Sequence, residues 1–356
     1  MNDRLPTRRR PSPLAHPGVV AGLAAAALFG AGTPFAKLLL GTIDPWLLAG
    51  LLYLGSGVGL GLWRARRRAP RVSLPADQRL WLVGAVLAGG VAGPVLLMFG
   101  LSGMPASGAS LLLNAEGVFT ALLAWFAFKE NFDRRILLGM LAIVAGAVIL
   151  SWPGETRLGD LWPALAVLGA CLAWAIDNNL TRKVALNDAS WIAAVKGLAA
   201  GTVNLGLAAV VGAAWPAWPW VGAAMALGLA AYGISLTLFV VALRHLGTAR
   251  TGAYFSVAPF FGALLSVVWL GEPVTAVLLL AGLLMALGVW LHVSERHTHE
   301  HTHDALEHVH EHVHDEHHQH AHEGIAAGEP HTHTHLHEAM SHAHEHFPDV
   351  HHQHRH

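Results

Sequence analysis

Ten stretches of about 20 apolar residues follow one another along this chain, near 18–40, 44–63, 80–100, 106–128, 135–152, 161–181, 190–212, 218–243, 248–270 and 274–293. Each is long enough to cross the roughly 30 Å hydrocarbon core of a bilayer as an α-helix. Inside hydrocarbon every backbone N–H and C=O must be bonded within the protein, which leaves only helices and closed barrels. Spans this long exclude the barrel, so the expected fold is an all-α integral membrane protein of ten transmembrane helices. The composition agrees, with 54% hydrophobic and 13% charged residues.

Charge orients the spans. Cytoplasmic loops of membrane proteins carry an excess of Lys and Arg. With the N-terminus inside, the inner segments collect 19 of the 22 cationic residues, including Arg8 to Arg10, Arg64 to Arg68, Arg134, Arg135, Arg182 and Lys183. Only Arg157 falls in an outer loop, while Lys37 and Lys196 lie within spans. Both termini are therefore expected in the cytoplasm of a bacterial-type inner membrane. The net charge of −1 gives no nucleic-acid footprint. The single cysteine, Cys171, sits in an apolar run and reads as packing.

The chain also contains itself twice. "SGASLLLNAEGVFTALLAWFAFKENF" (107–132) aligns without a gap to "ARTGAYFSVAPFFGALLSVVWLGEPV" (249–274), setting Glu130 on Glu272 and, further on, Gly146 on Gly288. "FGAGTPFAK" (29–37) lies over "WAIDNNLTR" (174–182), with Lys37 on Arg182. Each repeat thus has five spans, and an odd number turns the second copy upside down. The expected divisions are a basic N-terminus (1–17), a first repeat (18–152), a second (153–293) and a histidine-rich tail (294–356). The first span has the charged start and apolar middle of a signal peptide, but removing it would break the repeat, so it is kept.

These repeats resemble the drug/metabolite transporter superfamily of EamA type, whose five-helix units end in an apolar span, Gly-Glu and a further Gly-containing span. The second half has "LLSVVWLGEPVTAVLLLAGLLMALGV"; in the first, "LLAWFAFKENFDRRILLGMLAIVAGAV", Lys129 replaces the glycine. "FGAGTPFAK" is similar to the family's opening motif, with Phe29 in place of its Trp. The resemblance implies secondary transport by alternating access, with a site between the repeats near mid-membrane.

An ionisable residue within a span costs roughly 2.5–3.5 kcal/mol on insertion scales and persists where protein or water compensates. Glu116, in the fourth span, is expected to bind a proton or a substrate ammonium, against the alternative of a paired structural acid. Lys37 is expected to pair with Glu116, bind an anionic group or extend to the outer interface. Asp177 and Asn178 lie near the inner end of the sixth span, and Asp177 with Lys196 reads as a gate or as interfacial charge. Trp174, Tyr232 and Tyr254 are candidates to line a cavity, with core packing as the alternative. "NAEG" around Asn114, "YGIS" from Tyr232 and "SVAP" from Ser256 interrupt their spans with small and polar residues, as site-forming segments do. Pro259 and Pro34 are expected to kink helices. Glu130 and Glu272 read as caps at the start of the following helix.

Residues 292–356 hold 24 of the 26 histidines among interleaved acids. With few apolar residues the tail is expected to be disordered without ligand. Neutral imidazole suits Zn, Ni, Co and Cu, so His297, His299, His301, His303, His308, His310, His312, His314, His317, His318, His320 and His322 are candidate ligands, without a fixed coordination geometry. No cofactor is required by the spans. The expected function is proton-coupled export of a small organic metabolite or amino acid, with the tail buffering metal. The alternative is a transition-metal permease that the tail supplies. The spans decide between them: they hold no intramembrane histidine motif, whereas a metal pathway needs several ligands at depth. Expected partners are a small-molecule substrate and lipid, with a homodimer allowed. No constellation for an enzyme is present.

Overall fold

The computed structural model describes residues 17–70, 72–128, 134–151, 161–184, 187–293, 298–303, 306–312, 331–337 and 340–345. They fall into two units, residues 1–295 and 296–356, which are described separately.

The first unit is a helical bundle. In order it comprises α1 (Pro17–Leu39), α2 (Pro45–Arg66), α3 (Ala76–Ala85), a π-helical turn (Val86–Ala92), α4 (Gly93–Gly103), α5 (Ala106–Leu112), α6 (Ala115–Phe128) and α7 (Arg134–Ser151). It continues with α8 (Trp162–Thr181), α9 (Ala189–Val210), α10 (Trp218–Gly228), a second π-helical turn (Leu229–Ile234), α11 (Ser235–Phe255), α12 (Ala258–Leu270) and α13 (Ala276–Val293). Among the described residues seven helical segments are long and apolar enough to cross a membrane, and the shorter apolar helices Leu137–Ser151, Ala258–Leu270 and Ala276–Leu291 accompany them. Large apolar side chains such as Val210, Leu283 and Val268 stand exposed on outer faces, as a lipid-facing surface requires.

The duplication reaches down to the helix ends. Asp44 precedes α2 and accepts from Trp46 N at 2.9 Å; Asp188 precedes α9 and accepts from Ser190 N at 2.8 Å and Trp191 N at 3.1 Å. Both satisfy amides that the helix itself leaves unbonded. Asp188 also receives Arg64 from the last turn of α2 at 2.6 Å. Burial pushes the Asp188 carboxyl up, but the hydrogen bonds from Ser190, Arg64 and Trp191 outweigh it and hold the group below its ordinary range. Packing follows the same exchange: α2 lies on α9 and α7 on α13, while α1 packs on α11 and α4 on α8. A Cβ at Gly146 would meet Met285 Cγ at 2.8 Å, and one at Gly288 would meet Gly139 O at 2.5 Å. The two glycines matched by the repeat therefore let α7 and α13 touch backbone to backbone.

Two expectations need correction. A turn was expected between spans at 218–243 and 248–270, but the helix continues to Phe255 and breaks at Ser256–Val257. Residues 244–252 contain no proline, and a helix that keeps its own hydrogen bonds has no reason to stop there. Pro259 does not kink a helix, because it lies in the first turn of α12, where no backbone N–H is needed. Pro34, by contrast, is inside α1.

The second unit, expected to be disordered, carries four strands: β1 (Thr298–His303), β2 (Leu306–His312), β3 (His331–His337) and β4 (Met340–Glu345). β1 pairs antiparallel with β4, and β2 with β3. The physical reason is periodicity. Histidine at every second position, with Thr and Val among the residues between, is a period-two pattern that suits ladder pairing even without a core.

Candidate functional site

Both π-helical turns fall in the third helical segment of their repeat, at matching positions. A π turn displaces the regular ladder and frees carbonyls for other donors. In the first turn the Gly89 carbonyl accepts from Tyr53 Oη at 2.7 Å and from Trp174 Nε1 at 2.9 Å. The Gly90 carbonyl accepts from Asn204 Nδ2 at 3.0 Å, while Asn204 Oδ1 is buried without a hydrogen-bond partner. A Cβ at Gly89 would collide with the Asp177 carboxylate, and one at Gly93 would lie 2.7 Å from Trp174 Nε1. In the second turn the Tyr232 ring stands 5.4 Å from that of Tyr53 and edge-on to Phe29 at 5.9 Å. Phe29 in turn contacts Phe255 at 5.3 Å. The two turns thus meet through Tyr53 and Tyr232, one from each repeat.

The interruptions at Asn114 and Ser256 are present as turns at Leu113–Asn114 and Ser256–Val257. Asn114 is buried, and its side-chain amide donates to the Leu111 carbonyl at 2.9 Å, beside its own backbone N–H at 3.1 Å, so that one carbonyl at the break takes two donors. Glu116 lies in the first turn of α6 just beyond the break, where the helix end favours negative charge. Its Oε1 accepts from Asn178 Nδ2 at 2.8 Å. Trp174, Asp177, Asn178 and Thr181 follow the i, i+3, i+4, i+7 spacing of one face of α8. Asp177 accepts from Lys196 Nζ through both oxygens at 2.6 Å and from Thr181 Oγ1 at 2.8 Å. The side chains of Lys196 and Asp177 are only 17% and 10% exposed. Breaking such a buried pair from one side leaves an uncompensated charge at a cost of about 3–5 kcal/mol, whereas neutralising both is nearly free. Asp177→Asn alone is therefore expected to lower the melting temperature of the detergent-solubilised protein sharply. The double change with Lys196→Met should restore most of it, and equal melting of the single and double variants would count against a coupled pair.

Several expected partnerships are not made. Lys37 does not pair with Glu116: its ammonium donates to the Leu101 carbonyl and, at 3.0 Å, to that of Met104. Those carbonyls end α4 and have no intrahelical donors. Glu272 caps α5 of the other repeat, accepting from Ala106 N at 2.7 Å and Ser107 N at 2.8 Å, and does not serve α13. Lys37 and Glu272 together clamp the turn between α4 and α5 from its two sides. Gly271, at φ 68°, supplies the left-handed end of α12 that lets the chain present Glu272. Glu130 lies outside the described residues, as do His297, His314, His317, His318, His320 and His322. Tyr254 packs its Cβ within 3.3 Å of where a Cβ on Gly22 would stand. Cys171 is buried, its thiol 3.6 Å from the Leu112 carbonyl. Sequence reading missed Tyr53 and Asn204, although a lone phenol and a lone amide in apolar spans are the signal that should have drawn attention. Among the described residues no group of three or more His, Cys, Asp or Glu is disposed to hold a metal ion.

The EamA-like transporter family model matches residues 16–152 and again 161–294. The chain belongs to the EamA-like transporter family. The two matches coincide with the two repeats, so the paired π turns and the paired Asp caps are features of two copies of one family unit. An uncharacterized transporter of Methanothermobacter thermautotrophicus is 26% identical over 293 residues, 77% of this chain and 85% of that protein. The uncharacterized inner membrane transporter YedA of Escherichia coli is 23% identical over 69% of this chain and 83% of its own length. A probable amino-acid metabolite efflux pump of Salmonella typhimurium is 34% identical, over 86 residues that make up 23% of this chain and 28% of the pump. One solved crystal structure superposes with a TM-score of 0.60 over 77% of this chain and 94% of its own, at 19% identity, and so shares the fold. A membrane transporter is what these relationships establish.

Proposed function

We propose that this EamA-like transporter exports a small organic metabolite, an amino acid or a related amine, across an inner membrane in exchange for protons. The reading takes ten spans in two inverted repeats, both termini in the cytoplasm, and alternating access between the repeats. The observation that carries it is the placing of Glu116. A carboxylate at the interruption between α5 and α6 is held, among the described residues, by one side-chain amide, from Asn178, which adjoins Asp177 of the Lys196–Asp177 pair on the same face of α8. A carboxyl group so placed takes up or releases a proton without dismantling a salt bridge, and its charged form attracts a cationic amine. Asp177 is bonded to Lys196 at 2.6 Å and is not the partner of Glu116. The relationship to a protein named as an amino-acid metabolite efflux pump supports the substrate class.

The second reading, a transition-metal permease fed by the tail, draws on the histidines outside the bundle. It has less support, because a permeating soft ion needs several His, Cys, Asp or Glu ligands converging at depth, and none of the described residues form such a group.

Reconstitution separates the two. In proteoliposomes loaded with a pH-sensitive dye, amino acids or hydrophobic amines are expected to drive a proton flux of opposite sign to solute movement. Ni²⁺, Co²⁺ and Zn²⁺ should move no faster than in protein-free vesicles. Metal flux with no solute-linked proton movement would reverse the ranking.

A further inference from the structure

The turn between α12 and α13 belongs to the second repeat, yet it holds a helix of the first. Pro105, which precedes α5, gives it no side-chain cap, and the first amides of a helix have no acceptor within it. Glu272 serves two of them: Oε1 accepts from Ala106 N at 2.7 Å and Oε2 from Ser107 N at 2.8 Å. Hydrogen bonds to an ionised carboxylate are the stronger kind, and a helix start favours its negative charge. Lys37, bonded to the Leu101 and Met104 carbonyls on the other side of the turn, attracts the same carboxylate. The remainder of α5 is tied less firmly. Residues 106–110 are all small and buried, and Ser110 Oγ has no hydrogen-bond partner. A Cβ at Gly262 of α12 would lie 2.6 Å from that hydroxyl, while Ser266 of α12 turns its own hydroxyl to the Gly262 carbonyl at 2.7 Å. The seam between α5 and α12 thus packs closely through small residues and offers few directional bonds against sliding.

At its far end α5 stops at the Leu113–Asn114 turn, and Glu116 follows in the first turn of α6. Cys171 of α8 is buried against that end, its thiol 3.6 Å from the Leu112 carbonyl. The second repeat has no matching arrangement. The repeat alignment sets residues 104–107 on 246–249, which lie inside the uninterrupted α11, so no helix starts there for an acid to cap. We infer that Glu272 is a latch between the repeats, holding α5 closed over one mouth of the bundle, and that its release lets α5 swing about the Leu113–Asn114 break and open a path towards Glu116. In the orientation proposed above this is the outer mouth. Only that assignment and the link to Glu116 rest on the proposed transport reading; the latch itself does not.

The chain has a single cysteine, so a charged, water-soluble methanethiosulfonate reports directly on whether α5 has lifted from Cys171. In the full-length protein in detergent, without solute or proton gradient, the wild-type thiol is expected to react slowly. Glu272→Ala should speed its modification at least tenfold. Glu272→Gln keeps one acceptor oxygen but no charge, and its rate should fall between the two. Asp44→Ala removes a cap of the same kind that serves a helix of its own repeat, and it should react at the wild-type rate. If Glu272→Ala does not remain monodisperse on size exclusion, the Gln variant decides. Wild-type rates in the Glu272 variants, or an equal rise in Asp44→Ala, would overturn the latch. Because no transport is measured, a failure here is distinct from a failure of proton-linked export in proteoliposomes.

Discussion

Replacing Glu116 by Gln is expected to leave the protein folded and to abolish solute accumulation driven by a pH gradient. Glutamine preserves size and still accepts from Asn178 Nδ2, whose bond to Oε1 is 2.8 Å in the wild type, so little structural reason exists for the helix break to move. It cannot carry a proton. A gradient of one pH unit is worth about 1.4 kcal/mol per proton, which at one proton per solute sustains a roughly tenfold concentration ratio. That ratio should fall to about one in Glu116→Gln vesicles, while downhill exchange of solute persists. A mutant that still accumulates solute tenfold would remove Glu116 from the coupling role and leave it a structural acid. The charged neighbours on the facing helices, Asp177 and Lys196, are already bonded to each other at 2.6 Å and offer no ready substitute.

The second large effect is steric. α2 and α9, the matching helices of the two repeats, cross with backbones in contact. A Cβ at Gly197 would lie 2.6 Å from Gly57 N, 2.7 Å from Gly57 Cα and 2.8 Å from Tyr53 O. Backbone atoms cannot turn aside as a side chain does. A leucine at 197 must therefore force the helices apart, and with them Tyr53, which bonds Gly89 of the first π turn. Overpacking usually costs about 1–3 kcal/mol, and displacing two whole helices exceeds that range. Gly197→Leu is expected to yield little or no monodisperse protein on size exclusion and no transport. Gly206→Leu, on the same helix but with nothing within 4 Å of its Cβ, should behave like the wild type. If both variants purify equally well, the close crossing is not what holds the repeats together.

Much of this was legible along the chain. The apolar spans, the two repeats, the interruptions at Asn114 and Ser256, and the proximity of Asp177 to Lys196 follow from periods and offsets that any one segment carries in itself. The errors concern partners. Lys37 was free, as far as sequence goes, to meet Glu116 or water; in the structure it meets Leu101 and Met104, more than sixty residues away. Glu272 looked like a cap for the helix that follows it and caps α5, 165 residues upstream. A carbonyl left over at a helix end is invisible in a string of letters, and it attracts whichever donor the packing brings near.

The π turns show the same division. Glycines at 89 and 90 and the Tyr232–Gly233 pair mark weak points in their helices, yet nothing local says that the ladder should slip there. The slip persists because Tyr53, Trp174 and Asn204, arriving from other helices, bond the carbonyls that it releases. The sequence by itself determined the membrane-spanning class, the helical segments and the duplication, because hydrophobic length and backbone satisfaction in hydrocarbon are local requirements. Tertiary structure alone decided which buried polar groups pair and which helix each acid caps. Those choices depend on distances between segments remote in the chain, and in a medium without water each polar group takes the partner that packing puts within reach.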